Sequence, residues 1–149
     1  MIDARDAVPS DRSDWSRMWA GYCAYYGTTM PEAQVDELWR RILDPGHPVC
    51  ALVSTAPDRP ELLGFAHYLL HPHTFSDRTV CYLEDLWVEP AWRGSGVGRR
   101  LIEALTERGR DYGWRRVYWH TEADNETARR LYDRVATVTQ YVRYDVTLP

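Results

Sequence analysis

The stretch "WRGSGVGRR", residues 92 to 100, places three glycines at alternate positions between arginines. An apolar, strand-like run precedes it, and a helix-like run, "LIEALTERGRDYG", follows it. A glycine-rich turn between a strand and a helix is typical of phosphate binding, because free N–H groups and the helix dipole attract an anion. The glycine spacing departs from the dinucleotide pattern G-x-G-x-x-G, and the lysine-containing P-loop pattern is absent. The pattern that fits is R-x-x-G-x-G, with Arg93, Gly96 and Gly98, which predicts a loop for the pyrophosphate of coenzyme A.

Two adjacent carboxylates, Glu84 and Asp85, lie in the preceding run "YLEDLWVEP". Strict strand alternation would put Glu84 on one face with Tyr82, Leu86 and Val88, which are otherwise uncharged. A carboxylate there is costly unless it is paired or does chemistry, so Glu84 is the candidate general base. Asp85 would lie on the opposite face and is the weaker candidate, for binding an amine.

Other residue clusters have two interpretations each. Aromatic residues at helical spacing could hold a cationic amine by cation–π contact, although such a stripe is more commonly core packing; they are Trp19, Tyr22 and Tyr26. Three histidines near a strand end lack an obvious fourth ligand, so no metal site is predicted; they are His67, His71 and His73. His120 could relay a proton and Cys81 could carry an acyl group, but packing is the commoner role for both.

The elements that must position these residues follow the order β-α-α-β-β-β-α-β-α-β, which indicates one α/β domain with a mixed sheet over residues 1–149. The strand patterns are residues 2–7, "VCALVS", "LLGFAHYLL", "TVCYLEDLWV", "RRVYWHT" and "VTQYVRYDVTL". Helical stripes begin at Trp15, Val35, Leu101 and Ala128. Thr29 and Glu32 have the spacing of a capping box. The segment "HPHTFSDR" is predicted to be a loop.

Composition excludes several classes of protein. A net charge of -4 disfavours nucleic-acid binding, and no apolar run reaches the ~18 residues of a membrane span. The charged N-terminus does not resemble a secretory signal, and three widely spaced cysteines predict reduced thiols and a cytoplasmic location. All 18 basic side chains are arginine, which excludes a Schiff-base lysine.

Over residues 48 to 147 the sequence resembles the GNAT superfamily of acetyl-CoA-dependent N-acetyltransferases. The resemblance is most specific over "YLEDLWVEPAWRGSGVGRRLIEAL" and "VYWHTEADNETARRLYDRV". Within the superfamily it is closest to the diamine acetyltransferases and to certain histone and small-basic-protein acetyltransferases. It implies a mixed, mostly antiparallel central sheet with flanking helices, and acetyl-CoA as co-substrate.

The resemblance also implies roles for individual residues. Pantetheine would lie along the backbone of Leu86, Trp87 and Val88, with the Val88 N–H group on the acetyl oxygen. The pyrophosphate would be held by the glycine loop and its arginines, namely Arg93, Gly94, Ser95, Gly96, Val97, Gly98 and Arg99. Asn125 would contact the pantetheine arm or simply cap the last helix. Tyr132 would be the general acid toward the coenzyme A sulfur, unless it only packs in the helix stripe.

Together these features predict an enzyme that transfers an acetyl group directly to a primary amine. A non-catalytic acyl-CoA-binding module is the alternative, and a nicotinamide-binding protein is disfavoured by the glycine spacing. The acceptor stays open among polyamines, lysine side chains, amino acids and antibiotic amines. The last strand has no turn residues for a terminal hairpin, so it is predicted to pair with a second subunit in a homodimer.

Overall fold

A five-stranded sheet with two helices on each face is the framework of the computed structural model, which describes all 149 residues. The strands are β1 (Asp3–Asp6), β2 (Val49–Ala56), β3 (Arg59–His73), β4 (Ser76–Val88) and β5 (Arg116–Tyr118). The helices are α1 (Arg12–Tyr25), α2 (Glu32–Leu43), α3 (Val97–Tyr112) and α4 (Glu126–Val135).

The strands lie in chain order, β1 to β5, across the sheet. The first four pair antiparallel, and only β5 runs parallel to its neighbour β4. This arrangement confirms the predicted α/β class and the mixed, mostly antiparallel sheet. A parallel neighbour needs a crossover, and α3 provides it between β4 and β5.

A β-bulge interrupts β4 at Glu84. His67 of β3 pairs with Asp85 and Tyr68 pairs with Leu83, so Glu84 has no partner residue on β3. A bulge shifts the alternation of side chains along the strand. Leu86 and Val88 therefore pack on the same core as Leu83, although strict alternation would have put them on the other face. The prediction that Glu84 shares one face with Tyr82, Leu86 and Val88 is wrong for this reason.

Two hydrophobic cores lie on opposite faces of the sheet. Helix α3 buries its apolar stripe on one face, where Leu101, Ile102 and Leu105 meet Leu83 and Cys81. Helices α1 and α2 cover the other face through Trp15, Met18 and Trp39, which pack with Phe65 and Trp87. The two cores fix β3 and β4 from both sides, and β4 carries the candidate site.

Three local predictions differ from the structure. Residues 71–78 form no long loop, because β3 and β4 continue to a short turn at Thr74 and Phe75. The N-cap residue of α2 is Pro31, which makes no side-chain capping bond, so the predicted capping box is absent.

The third difference is the C-terminal segment, defined here as residues 136–149, which forms no helix or strand. Its predicted strand is therefore absent from the single chain. Six large apolar side chains in it are exposed, and they are Val138, Tyr141, Val142, Tyr144, Val146 and Leu148.

None of the four helices has both the length and the apolar character that crossing a membrane requires.

Candidate active site

A cleft opens where β4 and β5 separate. The two strands pair only from Val80 to Tyr82, so the rest of β4 has no neighbour on that edge. The Glu89 N–H group, just after β4, donates to the carbonyl of Leu63 in β3 at 2.9 Å. Glu89 and Leu63 are therefore opposite each other at a hydrogen-bonded position of the antiparallel ladder. In an antiparallel ladder, hydrogen-bonded pairs of residues alternate with non-hydrogen-bonded pairs. Val88 and Leu86 are at non-hydrogen-bonded positions, so their N–H and C=O groups point away from β3 and toward the cleft.

Trp87 has the opposite orientation. It pairs with Phe65 in a bonded position, so its backbone groups face β3, and its side chain packs in the core beneath α1 and α2. The expectation that pantetheine bonds to the backbone of Trp87 is therefore corrected. Leu86 keeps its backbone N–H and carbonyl groups for that role, and Val88 keeps its N–H group.

The glycine loop leads directly from this cleft into α3. Gly94 and Gly96 have φ values of 80° and 95°, a conformation that side-chain-bearing residues rarely adopt. The first helical hydrogen bond runs from the Arg100 N–H group to the Gly96 carbonyl at 2.9 Å. The N–H groups of Val97, Gly98 and Arg99 are thus the unpaired donors of the first turn, as an anion site needs.

Gly98 serves a different purpose from the other two glycines. A Cβ atom there would lie 3.3 Å from Leu131 and 3.6 Å from Val88, so the missing side chain lets α3 approach β4 and α4 closely. The close approach brings the start of the helix to the end of β4. The predicted phosphate contact of Gly98 is limited to its backbone N–H group.

The polar side chains of the loop are engaged within the protein. The Arg93 Nε atom donates to the Val88 carbonyl at 3.2 Å, and its guanidinium lies 4.8 Å from the Trp87 ring centroid. Arg99 donates to Glu103 on the exposed side of α3 at 2.7 Å, and the Ser95 hydroxyl bonds to the Trp92 carbonyl. Arg93 therefore lies nearest to the cleft.

Glu84 occupies the bulge at the other end of the cleft. Partial burial and the charge of Asp85 raise the pKa of Glu84, whereas Arg143 acts in the opposite direction more weakly. No arginine lies within salt-bridge distance of Glu84. A carboxylate with a raised pKa is a better proton acceptor near neutral pH.

Asp85 faces α1 through a buried chain of hydrogen bonds. Its Oδ2 atom lies 2.9 Å from His67 Nδ1, and the Trp15 indole N–H group donates to His67 Nε2 at 2.9 Å. Sequence reasoning missed both Trp15 and His67 as site residues. The available signal was a histidine inside the apolar strand "LLGFAHYLL", because a buried imidazole needs hydrogen-bond partners.

The aromatic stripe of α1 lines a pocket of about 340 Å³. Trp19 and Tyr22 stack with ring centroids 5.2 Å apart, and Tyr26 packs on Tyr22 at 4.9 Å. The stripe also packs on the core through Phe65, as the packing interpretation expects. The other lining residues, which the sequence did not reveal, are Cys23, Thr28, Thr29, Met30 and Gln34.

The pocket adjoins Asp85. Burial is the main reason that the pKa of Tyr22 is raised, and the neighbouring charge of Asp85 adds to it. The same two causes raise the pKa of the Cys23 thiol. None of the lining residues is an arginine, so no positive charge opposes a cationic ligand.

Tyr132 lies on α4 against Trp119, with ring centroids 5.3 Å apart. Burial, and secondarily Tyr26, raise the pKa of Tyr132, which keeps the phenol protonated at neutral pH. Asn125 is the N-cap of α4, and its side chain accepts from the Ala128 N–H group at 3.2 Å. The capping role of Asn125 is thus present, and it leaves the amide nitrogen for another partner.

The remaining candidates have structural partners. No group of three histidine, cysteine or acidic residues is arranged to hold a metal ion. His71 bonds to the Tyr118 hydroxyl at 2.8 Å, and His120 lies 3.2 Å from the Tyr82 hydroxyl. Cys81 is fully buried, and burial raises its pKa to about 12, which makes it unfit as a nucleophile.

Comparisons with known proteins identify the family of this chain. The model of the Acetyltransferase (GNAT) family matches residues 15–136. The chain is 34% identical over 136 residues to the D-amino-acid N-acetyltransferase HPA3 of Saccharomyces cerevisiae, covering 91% of this chain and 84% of that protein. It is 33% identical over 119 residues to the aminoglycoside N(6')-acetyltransferase type 1 of Stenotrophomonas maltophilia, covering 76% and 71%.

Solved structures agree on the fold. An aminoglycoside acetyltransferase from an uncultured soil metagenomic sample superposes with a TM-score of 0.82, at 16% identity, over 99% of this chain and 97% of that one. The chain therefore belongs to the GNAT acetyltransferase family, as its sequence motifs predicted. Its homologues are N-acetyltransferases, which supports acetyl transfer to an amine.

Proposed function

We propose that the protein transfers the acetyl group of acetyl-CoA directly to a primary amine, with both substrates bound in the cleft. One observation carries the proposal: β4 leaves β5 after Tyr82 and turns the backbone of Leu86 and Val88 toward open space. An extended pantetheine chain can bond to that edge as a strand would. We take residues 1–149 as a single catalytic domain of this kind.

The glycine loop would hold the pyrophosphate at the end of this edge. The free N–H groups of Val97, Gly98 and Arg99 supply donors, and positive φ at Gly94 and Gly96 gives the loop its shape. Arg93 would leave the Val88 carbonyl and add charge to the phosphates. Asn125 would offer its free amide nitrogen to the pantetheine arm. No metal is needed for this binding.

The acceptor would be a cationic amine. Glu84 and Asp85 lack arginine partners, and no basic residue lines the aromatic pocket beside them. Trp19, Tyr22 and Tyr26 would contact the cation through their ring faces. Relatives named for acetylation of D-amino acids, thialysine and aminoglycosides all act on amines, which supports the class without selecting one compound.

The reaction assigns one role to each group. Glu84 takes a proton from the ammonium form of the acceptor, and the freed nitrogen attacks the thioester carbonyl. The Val88 N–H group stabilises the oxygen that becomes negative. A C–N bond forms and the C–S bond breaks, and the leaving thiolate takes the phenolic proton of Tyr132. The second proton that the nitrogen loses as it becomes an amide returns to the Tyr132 phenolate, so the net reaction releases one neutral amide and one coenzyme A thiol. The raised pKa of Glu84 suits a base, and the raised pKa of Tyr132 means that its phenol still holds its proton when the thiolate leaves.

We further propose a homodimer in the cytoplasm. The C-terminal segment exposes a row of apolar side chains, with Tyr141 91% and Tyr144 90% exposed, and β5 has an open outer edge. Pairing the segment with a sheet edge of a second copy would cover both. All three cysteines are free thiols, which suits a reducing compartment.

A thiol-release assay over a panel of amines tests the function. The panel contains polyamines, free D- and L-amino acids, lysine peptides and aminoglycosides, each with acetyl-CoA. We expect amine-dependent release of free coenzyme A, and slower release at neutral pH by the matched variant Glu84→Gln. Tight acetyl-CoA binding with no amine-dependent release from any class would instead favour the non-catalytic binding module.

A further inference from the structure

Trp15, His67 and Asp85 form a hydrogen-bonded chain that crosses from α1 through β3 to β4. The distances are 2.9 Å between Trp15 Nε1 and His67 Nε2, and 2.9 Å between His67 Nδ1 and Asp85 Oδ2. Trp15 is fully buried, and the side chains of His67 and Asp85 are 3% and 15% exposed. Asp85 is therefore the most exposed member of the chain.

The chemistry of the indole group fixes the state of His67. An indole N–H group can only donate a hydrogen bond, so His67 Nε2 must accept and carries no proton. The ring proton is then on Nδ1, where it is donated to the Asp85 carboxylate. A second proton on Nε2 would place two donors face to face in a buried site. The Trp15 contact thus selects one neutral tautomer of His67.

A neutral His67 leaves the charge of Asp85 uncompensated. Asp11, another buried carboxylate of this chain, is paired with Arg5 at 2.7 Å. Asp85 has no arginine in place of that partner: it bonds to His67, and its near neighbours in α1, the Tyr22 hydroxyl and the Cys23 thiol, are neutral. A carboxylate that is held in place but has no cation beside it is suited to receive one from a ligand.

We propose that His67 and Trp15 are positioning residues that keep Asp85 oriented and free of an internal cation, so that it binds the ammonium group of the acceptor. The inference rests on the proposed function, because the cation it requires is the acceptor amine. It assigns acceptor binding to Asp85 and proton removal to Glu84, although the two carboxylates are adjacent. His67 acts only through Asp85 and does not contact the substrate.

The tautomer can be measured without any substrate. In protein labelled with ¹⁵N-histidine, we expect His67 to show a protonated Nδ1 and an unprotonated, hydrogen-bonded Nε2 at pH 7. The spectrum of His67→Asn assigns the signals, because only those of His67 disappear. A proton on Nε2, or a doubly protonated ring at pH 7, would overturn the proposal.

Kinetics of two substitutions then test the role. His67→Leu removes the donor to Asp85 and should raise the KM of the amine about 10- to 100-fold, the usual effect of losing a buried hydrogen bond to a charged group. The KM of acetyl-CoA should not change. His67→Asn keeps an N–H group near the position of Nδ1 and should restore the amine KM to within about threefold of wild type.

Tyr68→Phe is the matched control for structural damage. Tyr68 follows His67 in β3 and is also buried, but its side chain lies on the opposite face of the sheet. Its hydroxyl accepts a hydrogen bond from Arg108 at 2.7 Å, and Tyr68→Phe removes that bond. It should lower stability yet leave the amine KM unchanged. An equal rise of KM in Tyr68→Phe and His67→Leu, or none in His67→Leu, would refute the positioning role.

The two proposals fail in distinguishable ways. If wild-type protein acetylates no amine, the proposed function fails, whatever the tautomer of His67. If wild type is active and the ¹⁵N spectrum or the amine KM contradicts the expectation, only the role of Trp15 and His67 fails.

Discussion

Gly96→Glu is the substitution that tests the glycine loop most sharply. Gly96 is the N-cap of α3, with φ of 95° and no heavy atom within 4 Å of an added Cβ atom. An added Cβ atom there would meet no protein atom, and we expect the rest of the Glu side chain to enter the space in front of the unpaired N–H groups. The new carboxylate would thus occupy the proposed pyrophosphate position.

The cost in stability can be separated from the cost in binding. Gly113, the C-cap of the same helix, also has positive φ, at 71°, and open space around an added Cβ. A left-handed conformation costs a side-chain-bearing residue about 1–2 kcal/mol, so both substitutions should lower the free energy of unfolding. Gly113→Glu should lower it somewhat more, because the helix dipole favours a carboxylate at the N-terminus and disfavours one at the C-terminus. Gly113 lies at the other end of this 16-residue helix, about 24 Å away at 1.5 Å per residue.

Calorimetric titration with coenzyme A and urea unfolding should be run on both variants. We expect Gly96→Glu to weaken binding at least about 100-fold, since placing like charges together costs several kcal/mol, while Gly113→Glu binds as wild type does. Equal coenzyme A affinity in two folded variants would refute the phosphate-loop assignment.

Four further predictions concern the chemical step and the assembly. Because burial and Asp85 raise the pKa of Glu84, wild-type kcat/KM should fall as the pH drops through that raised value. Glu84→Gln should not show this fall. Its kcat/KM should come closer to the wild-type value as the pH approaches the amine pKa of about 10, where much of the amine is already deprotonated. Tyr132→Phe should lower kcat about 10²- to 10⁴-fold with little change in the acetyl-CoA KM, and near wild-type turnover would remove it from the mechanism. Since the chain contains no lysine, mass spectrometry after incubation with acetyl-CoA should detect at most N-terminal acetylation, and a stable Cys81 adduct would contradict direct transfer. Light scattering at micromolar concentration should give a dimer for the full chain and a monomer after deletion of Tyr141–Pro149, and a dimer that survives the deletion would exclude the C-terminal segment as its cause.

Sequence patterns predicted the parts of this protein that local chemistry determines. The stripe of α3, the glycine loop before it and the end of β4 near Pro90 all follow from periodicity and from turn residues. The family resemblance was carried by the same stretch. Glu84 and Asp85 were identified because charged residues in an apolar strand are costly.

The features that the sequence did not predict depend on contacts between residues that are far apart in the sequence. The bulge at Glu84 becomes visible only from the register of β3 against β4, so the facing of Leu86 and Val88 was predicted wrongly. The bond between Trp15 and His67 joins residues 52 positions apart, which no local pattern reveals. The C-terminal segment alternates like a strand, but no strand of its own chain pairs with it.

The central claim is direct acetyl transfer to an amine within one complex. Initial velocities, measured while the concentrations of acetyl-CoA and of the best amine are both varied, test it most directly. The acetylated amine is quantified by mass spectrometry in the same reactions. The account predicts intersecting lines in the double-reciprocal plot and one acetylated amine for each coenzyme A released. Parallel lines, which signify an acetylated enzyme intermediate, or release of coenzyme A without acetylated amine, would contradict it.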